Sequence, residues 1–201
     1  MTLTTKEFRE IFKKRGWRAR AAGSLHSILE YEYDNGRIGR HIAKYVDYTD
    51  TQEVQIEFGY TWKPFDEAVK FIDEIAKNTR TPYSYMQYLG IKDQYFEVLH
   101  PEITSEMIEP FFELSKEWVY EQDVEMNLAL YRSERTLEIP GGKWQVYHLA
   151  ALALNHDIDI LKMYQEELHA GKKGRFFPFV ENDLSYIDNA VEYTTLLMKA
   201  K

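Results

Sequence analysis

The stretch from Trp144 to Met198 constrains the fold most, because three helical faces follow one another in it with stops between them. Leu149, Leu152, Ala153 and His156 share one face, which Ala150, Ala151 and Leu154 widen. After Asn155-His156-Asp157 a second apolar set comes at Ile158, Leu161, Tyr164 and Leu168, and Gly171 and Gly174 stop it. A third helix, capped by Asp183 or Ser185, carries Ile187, Ala190, Val191, Tyr193, Leu196 and Leu197. Spacings of three and four residues place such side chains on one helical face. Asn155-His156-Asp157 also fits a helix–helix turn, with Asp157 as the cap of the second helix. The stretch therefore reads as a helix pair, an irregular loop at Phe176–Phe179 and a closing helix, which together need a sheet to cover.

The sheet is read from the period of two that begins at Ser24. Leu25, Ser27, Leu29, Tyr31 and Tyr33 alternate with His26, Ile28, Glu30 and Glu32. Asp34-Asn35-Gly36 is a hairpin turn, because Asn and Gly tolerate positive φ. The return strand runs from about Ile38 to Tyr48, and a turn at Thr49-Asp50 leads into Gln52–Tyr60. There Val54, Ile56, Phe58 and Tyr60 face one way and Gln55 and Glu57 the other, which completes a three-stranded meander.

Helices flank it. Thr4-x-x-Glu7 is a capping box with Leu3 and Phe8 as its staple, and Gly16 ends the helix it opens. Pro64 suits the first position of a helix burying Phe65, Ala68, Val69, Ile72, Ile75 and Ala76. Tyr83, Tyr85 and Tyr88 cluster beyond Thr81-Pro82, and Gln94–Leu99 reads as a strand. Thr104 or Ser105 opens a helix to about Tyr120, with Pro110 in its first turns or kinking it. Val124, Met126, Leu128 and Leu130 alternate with Glu125, Asn127 and Ala129 and read as a strand, with a continued helix as the alternative. Leu137 and Ile139 are expected to pair beside it.

The expected fold is α+β: an antiparallel sheet of four to six strands, opening with the meander, packed by helices and closed by a C-terminal helical set. Pro140-Gly141-Gly142 marks the boundary between an α+β portion, 1–140, and a helical portion, 141–201, and is too short for a flexible linker. One compact domain is expected. Its core is predicted to include Phe8, Phe12, Leu29, Val54, Ile56, Phe58, Val69, Ile72, Trp118, Leu128, Leu149, Leu152, Leu161 and Ile187.

Several function classes are excluded or disfavoured. No apolar run approaches the length of a membrane span. The amino terminus, MTLTTKEFREIFKK, lacks the apolar core of an export signal, so a cytoplasmic protein is expected. The absence of cysteine rules out disulfides, thiolate zinc sites and a thiol nucleophile. Phosphate-loop, dinucleotide and nucleophile-elbow motifs are absent. The basic Gly171-Lys172-Lys173-Gly174-Arg175 run reads as a helix stop with solvated charges. His156-Asp157 with Asp159 is similar to the paired His-Asp of metal phosphohydrolases, but that chemistry needs further histidines on neighbouring helices. His148 lies eight residues before His156, about 12 Å along a continuous helix, too far to share a metal with it. No catalytic residue, metal ligand or cofactor is assigned.

Two resemblances are partial. His148-Leu149-Ala150-Ala151, followed by His156-Asp157-Ile158 and Leu161, resembles the helical core of one ankyrin repeat. The Thr-Pro-Leu opening is missing and no second copy follows, which marks convergent helix-hairpin patterning. The order helix, three strands, helix, strand, helix, strand is similar to that of type III secretion chaperones, from which the helices after Gly142 depart.

Charge and tyrosine carry the functional expectation. The net charge is −8, yet residues 1–20 carry +5, so the remaining 181 carry −13. An acidic body disfavours nucleic acid and attracts basic proteins. Tyrosine is an amphipathic anchor enriched at interfaces. Alternation groups Tyr31, Tyr33 and Tyr60, with Glu30, Glu32 and Glu57 nearby, as a partner-binding set. The expectation is a non-enzymatic, stoichiometric protein-binding protein, first of all an immunity protein masking a basic toxin domain such as a nuclease. The alternative is a chaperone or adaptor for a secreted effector, and a metal-dependent hydrolase around His156 and Asp157 stands third. Oligomeric state is not legible in the sequence.

Overall fold

A computed structural model describes residues 3–73, 95–133, 142–172 and 184–200. It is α+β, with an antiparallel sheet and a set of C-terminal helices. The chain divides into two compact units, the first formed by Met1–Trp62 and Tyr85–Asp123 and the second by Lys63–Ser84 and Val124–Lys201. This division differs from the single boundary read at Pro140. The helices at Lys63–Ile72 and Val124–Arg132 group with the C-terminal helices, because their apolar faces are buried there.

The first unit opens with α1 (Thr5–Lys14), whose capping box forms as expected: Glu7 N–H donates to Thr4 Oγ1 at 3.2 Å and Thr4 N–H to Glu7 Oε2 at 2.8 Å. Its end is a Schellman motif. Gly16 takes φ +83°, its N–H donates to Lys13 O, and Trp17 N–H donates to Phe12 O at 3.1 Å. That turn drops Trp17 edge-on against Phe12, with centroids 6.1 Å apart.

The sheet runs β1 (Arg18–Ala21), β2 (His26–Glu32), β3 (Arg37–Asp47), β4 (Gln52–Glu57), then β6 (Tyr95–His100), all antiparallel, with β5 (Tyr60–Trp62) pairing the start of β3. The meander and the strand near Gln94 are as read, except that the third strand, read to Tyr60, ends at Glu57 and Tyr60 opens the separate β5; β1 is an addition. At the β2–β3 turn Asn35 and Gly36 have φ +61° and +70°, which places the Asp34-Asn35-Gly36 signal where it was expected.

Register divides the sheet into two faces. Leu29 opposes His41, Tyr31 opposes Gly39, and Gly39 opposes Tyr60 on one face; Glu30 opposes Arg40 on the other. The first face is covered by α1 and by α3 (Ser105–Glu121), and between them lie Phe8, Phe12, Trp17, Leu29, Ile56 and Phe111. The expected core is found buried except for Trp118, which is partly exposed and rests against that cluster.

The second unit is helical: α2 (Lys63–Ile72), α4 (Val124–Arg132), α5 (Gly142–Leu154), α6 (Ile158–His169) and α7 (Leu184–Lys199). The strand read at Val124–Leu130 is corrected to the helical alternative. Val124, Asn127, Leu128 and Tyr131 recur at the helical spacing, whereas Met126 is 41% exposed. Every residue from Gln145 to Ala153 is buried, so α5 is a central helix rather than one with a single covered face. Phe65 of α2 stacks on Tyr131 at 5.4 Å, and Asn189 of α7 donates to Ile72 O at 3.1 Å.

His156 belongs to the turn read at Asn155-His156-Asp157 and not to the helical face on which it was also placed. It lies beyond α5 as a second Schellman turn, at φ +61°, with its N–H donating to Ala153 O and Asp157 N–H to Leu152 O. Asp157 precedes α6 without a side-chain cap, and its carboxylate accepts from Asn155 Nδ2 at 2.9 Å. Ile75, Ala76, the Thr81–Tyr88 cluster, the Leu137–Ile139 pairing, Gly174, the Phe176–Phe179 loop and Asp183 lie outside the described residues.

Candidate functional site

An open groove of about 400 Å3 lies in the first unit, between the end of β2 and the outer face of α3. Aromatic side chains line it: Trp17, Tyr31, Tyr33, Phe112 and Tyr120. The Schellman turn supplies Trp17, β2 supplies Tyr31, the extended residue just past its end supplies Tyr33, and one face of α3 supplies Phe112, Lys116 and Tyr120 at spacings of four. The rings form a continuous wall. Trp17 meets Tyr31 at 5.2 Å, Tyr31 meets Tyr33 edge-on at 4.9 Å, and Tyr33 meets Tyr120 at 5.9 Å.

Charged groups ring the wall. Glu32, Asp34 and Glu113 line the groove together with Arg15 and Lys116. Arg15 is engaged: it forms an ion pair with Glu109, and its guanidinium carbon lies 5.4 Å from the Phe112 ring centre. Three carboxylates thus line the groove with two cations, and one of those cations, Arg15, is paired with Glu109.

Tyr33 is anchored from behind. Its hydroxyl lies 2.9 Å from Ser115 Oγ, which lies 2.8 Å from Nε2 of His41. His41 Nδ1 accepts the Gly59 N–H at 3.2 Å. Burial pushes the His41 pKa down to about 3, so the ring is neutral near pH 7. With Nδ1 accepting, the remaining ring proton is on Nε2 and is donated to Ser115. His41 is therefore not arranged to take a proton from Ser115, and Ser115 itself is fully buried. The pair orients Tyr33; it is not a nucleophile and its base. Burial also raises the Tyr33 pKa to about 12, against the lowering effect of the Ser115 bond, so the groove presents a neutral phenol. Gly39 makes room for this arrangement: a Cβ there would stand 2.9 Å from His41 Nε2 and 3.0 Å from Tyr33 Cε2.

Of the six residues read as partner-binding, the groove brings together Tyr31, Glu32 and Tyr33. Glu30 points to the opposite sheet face, where Arg40 Nε donates to it at 2.6 Å and Arg20 lies 3.5 Å away. Glu57 is on that face too, opposite Ile42 and Tyr95. Tyr60 shares the face of the tyrosines but is fully buried edge-on against Trp118 at 5.9 Å, so it presents no surface. Trp17, Phe112 and Tyr120 were missed. The spacing of Phe112, Lys116 and Tyr120 was the available signal, but nothing local says which strand that helix face meets.

Among the described residues no three His, Asp or Glu side chains converge on a metal-binding geometry. His148 instead donates from Nδ1 to Tyr131 O at 2.7 Å inside the second unit. No described helix is long and apolar enough to cross a membrane.

The model of a family of unknown function, DUF6990, matches residues 4–195. The chain belongs to that family. The match takes in every groove residue and reaches well into α7. Comparison with curated proteins and with solved structures finds no match.

Proposed function

We propose that the protein is a non-enzymatic, stoichiometric protein-binding protein of the cytoplasm, an immunity protein whose partner is a basic toxin domain such as a nuclease. The observation that carries this reading is the aromatic groove rimmed by Glu32, Asp34 and Glu113. Half-buried tyrosines held by a rigid scaffold supply contact area at low entropic cost, and carboxylates around them steer a basic partner into register. The −13 carried by residues 21–201 adds long-range attraction of the same sign.

The test is affinity purification of the tagged chain from its native cells, beside the triple variant E32K/D34K/E113K. One basic protein at near-equal ratio with the native chain, strongly depleted with the variant, is expected, while the melting temperature stays within a few degrees. Expression of that partner alone should arrest growth, and co-expression of the native chain should restore it. A partner retained equally by the variant contradicts the assignment of the groove, and a harmless partner removes the immunity reading.

A further inference from the structure

The groove has the makings of a cation receptor, and its aromatic wall says which cation. Tyr31, Tyr33, Tyr120, Trp17 and Phe112 present π systems, and carboxylates at Glu32, Asp34 and Glu113 stand at their margin. Aromatic faces attract cations, and the attraction grows when the ion is desolvated in a concave site. A guanidinium is planar, weakly hydrated and rich in donors, so it stacks on rings and bonds to carboxylates at once; an ammonium is compact and strongly hydrated. The chain carries its own example at the groove's edge, where Arg15 lies over Phe112 while pairing with Glu109. Lys116 and Arg15 are the opposing charges, and with Arg15 paired to Glu109 the three lining carboxylates outnumber Lys116.

We infer that the groove receives one arginine side chain of the basic partner, its guanidinium laid against the Tyr31–Tyr33–Tyr120 wall and its donors turned to Glu32, Asp34 and Glu113. This rests on the protein-binding reading and adds the chemical group that is read. The neutral Tyr33 phenol, fixed by Ser115, keeps the wall in place before the partner arrives, so little ordering remains to be done on binding.

The experiment titrates N-acetyl-arginine methylamide, its lysine counterpart and its neutral citrulline counterpart into the full chain. The readouts are the Trp17 indole and the tyrosine ring resonances. Saturable shifts at Trp17, Tyr31, Tyr33 and Tyr120 are expected with the arginine probe, about ten-fold weaker binding with lysine, and no saturation with citrulline. Tyr120→Leu, at an exposed position, should weaken the arginine probe by about ten-fold with an unchanged melting temperature. Equal responses to all three probes, or no response at Tyr31, Tyr33 and Tyr120, overturn the arginine assignment. If the triple variant still loses the partner in that case, the protein-binding reading stands and only the arginine falls. If the partner is retained as well, both fall.

Discussion

At the scale of single residues, His41 shows how a fold fixes a charge state. Its ring is fully buried beneath Phe111 and Trp17, and burial alone holds its pKa near 3 against an ordinary value of 6.5. The unfolded chain accepts a proton that the folded chain refuses. The stability tied to neutral His41 is therefore complete above about pH 6.5 and is lost as pH falls toward 3, at up to about 1.4 kcal/mol per pH unit. Urea unfolding near pH 7 and near pH 5 should show the native chain losing up to about 2 kcal/mol more than His41→Asn, whose amide oxygen keeps an acceptor for Gly59 N–H. Equal losses would mean that His41 titrates freely in the folded chain. Of this arrangement the sequence disclosed the tyrosines, because alternation is local. It did not disclose Ser115 or His41, whose meeting depends on α3 crossing β3, 74 residues apart in the chain.

At the scale of elements, α3 carries a proline where a helix tolerates it least. Pro110 is exposed and lies well past the first turn, so its missing N–H removes a helical bond. Pro110→Ala should stabilise the first unit by about 1–2 kcal/mol in urea unfolding, the helix gain being offset in part by a more flexible unfolded chain. A loss instead would mean that the fixed backbone of Pro110 is needed to seat Phe111 and Phe112. Element boundaries were legible where stop chemistry is explicit, as at Gly16 and Gly171, which both take positive φ. They were hidden where an unusual residue does the same task. His156 closes α5 in glycine's conformation, so the sequence set it both on the helical face and in the turn that ends it. The run Val124–Leu130 satisfies both periods because Asn127, a polar residue, occupies a buried helical position. β1 has no apolar alternation at all; Arg18 and Arg20 occupy one face and two alanines the other, with Arg18 opposite Glu30 and Ala19 opposite Leu29.

At the scale of the whole chain, the two units are interleaved in sequence. α2 belongs with α5 and α7, and α4 with α5, although both precede Pro140. A chain ended after residue 140 would carry the buried faces of Phe65, Val69, Ile72, Leu128 and Tyr131 without the helices that cover them. Such a truncation should be insoluble or bind hydrophobic dyes strongly, and a cooperative, soluble fragment 1–140 would contradict the grouping. The Pro-Gly-Gly signal could not reveal this, because composition marks breaks in chain stiffness and not which apolar faces meet. Interleaving also sets a schedule for the nascent chain. α2 ends at Ile72 and α5 begins at Gly142, 70 residues later. At ordinary translation speeds of about 5–20 residues per second, the apolar side of α2 waits roughly 4–14 seconds for its partner to leave the ribosome. Throughout that interval Phe65, Val69 and Ile72 stand uncovered, so aggregation competes with folding for every chain until α5 arrives.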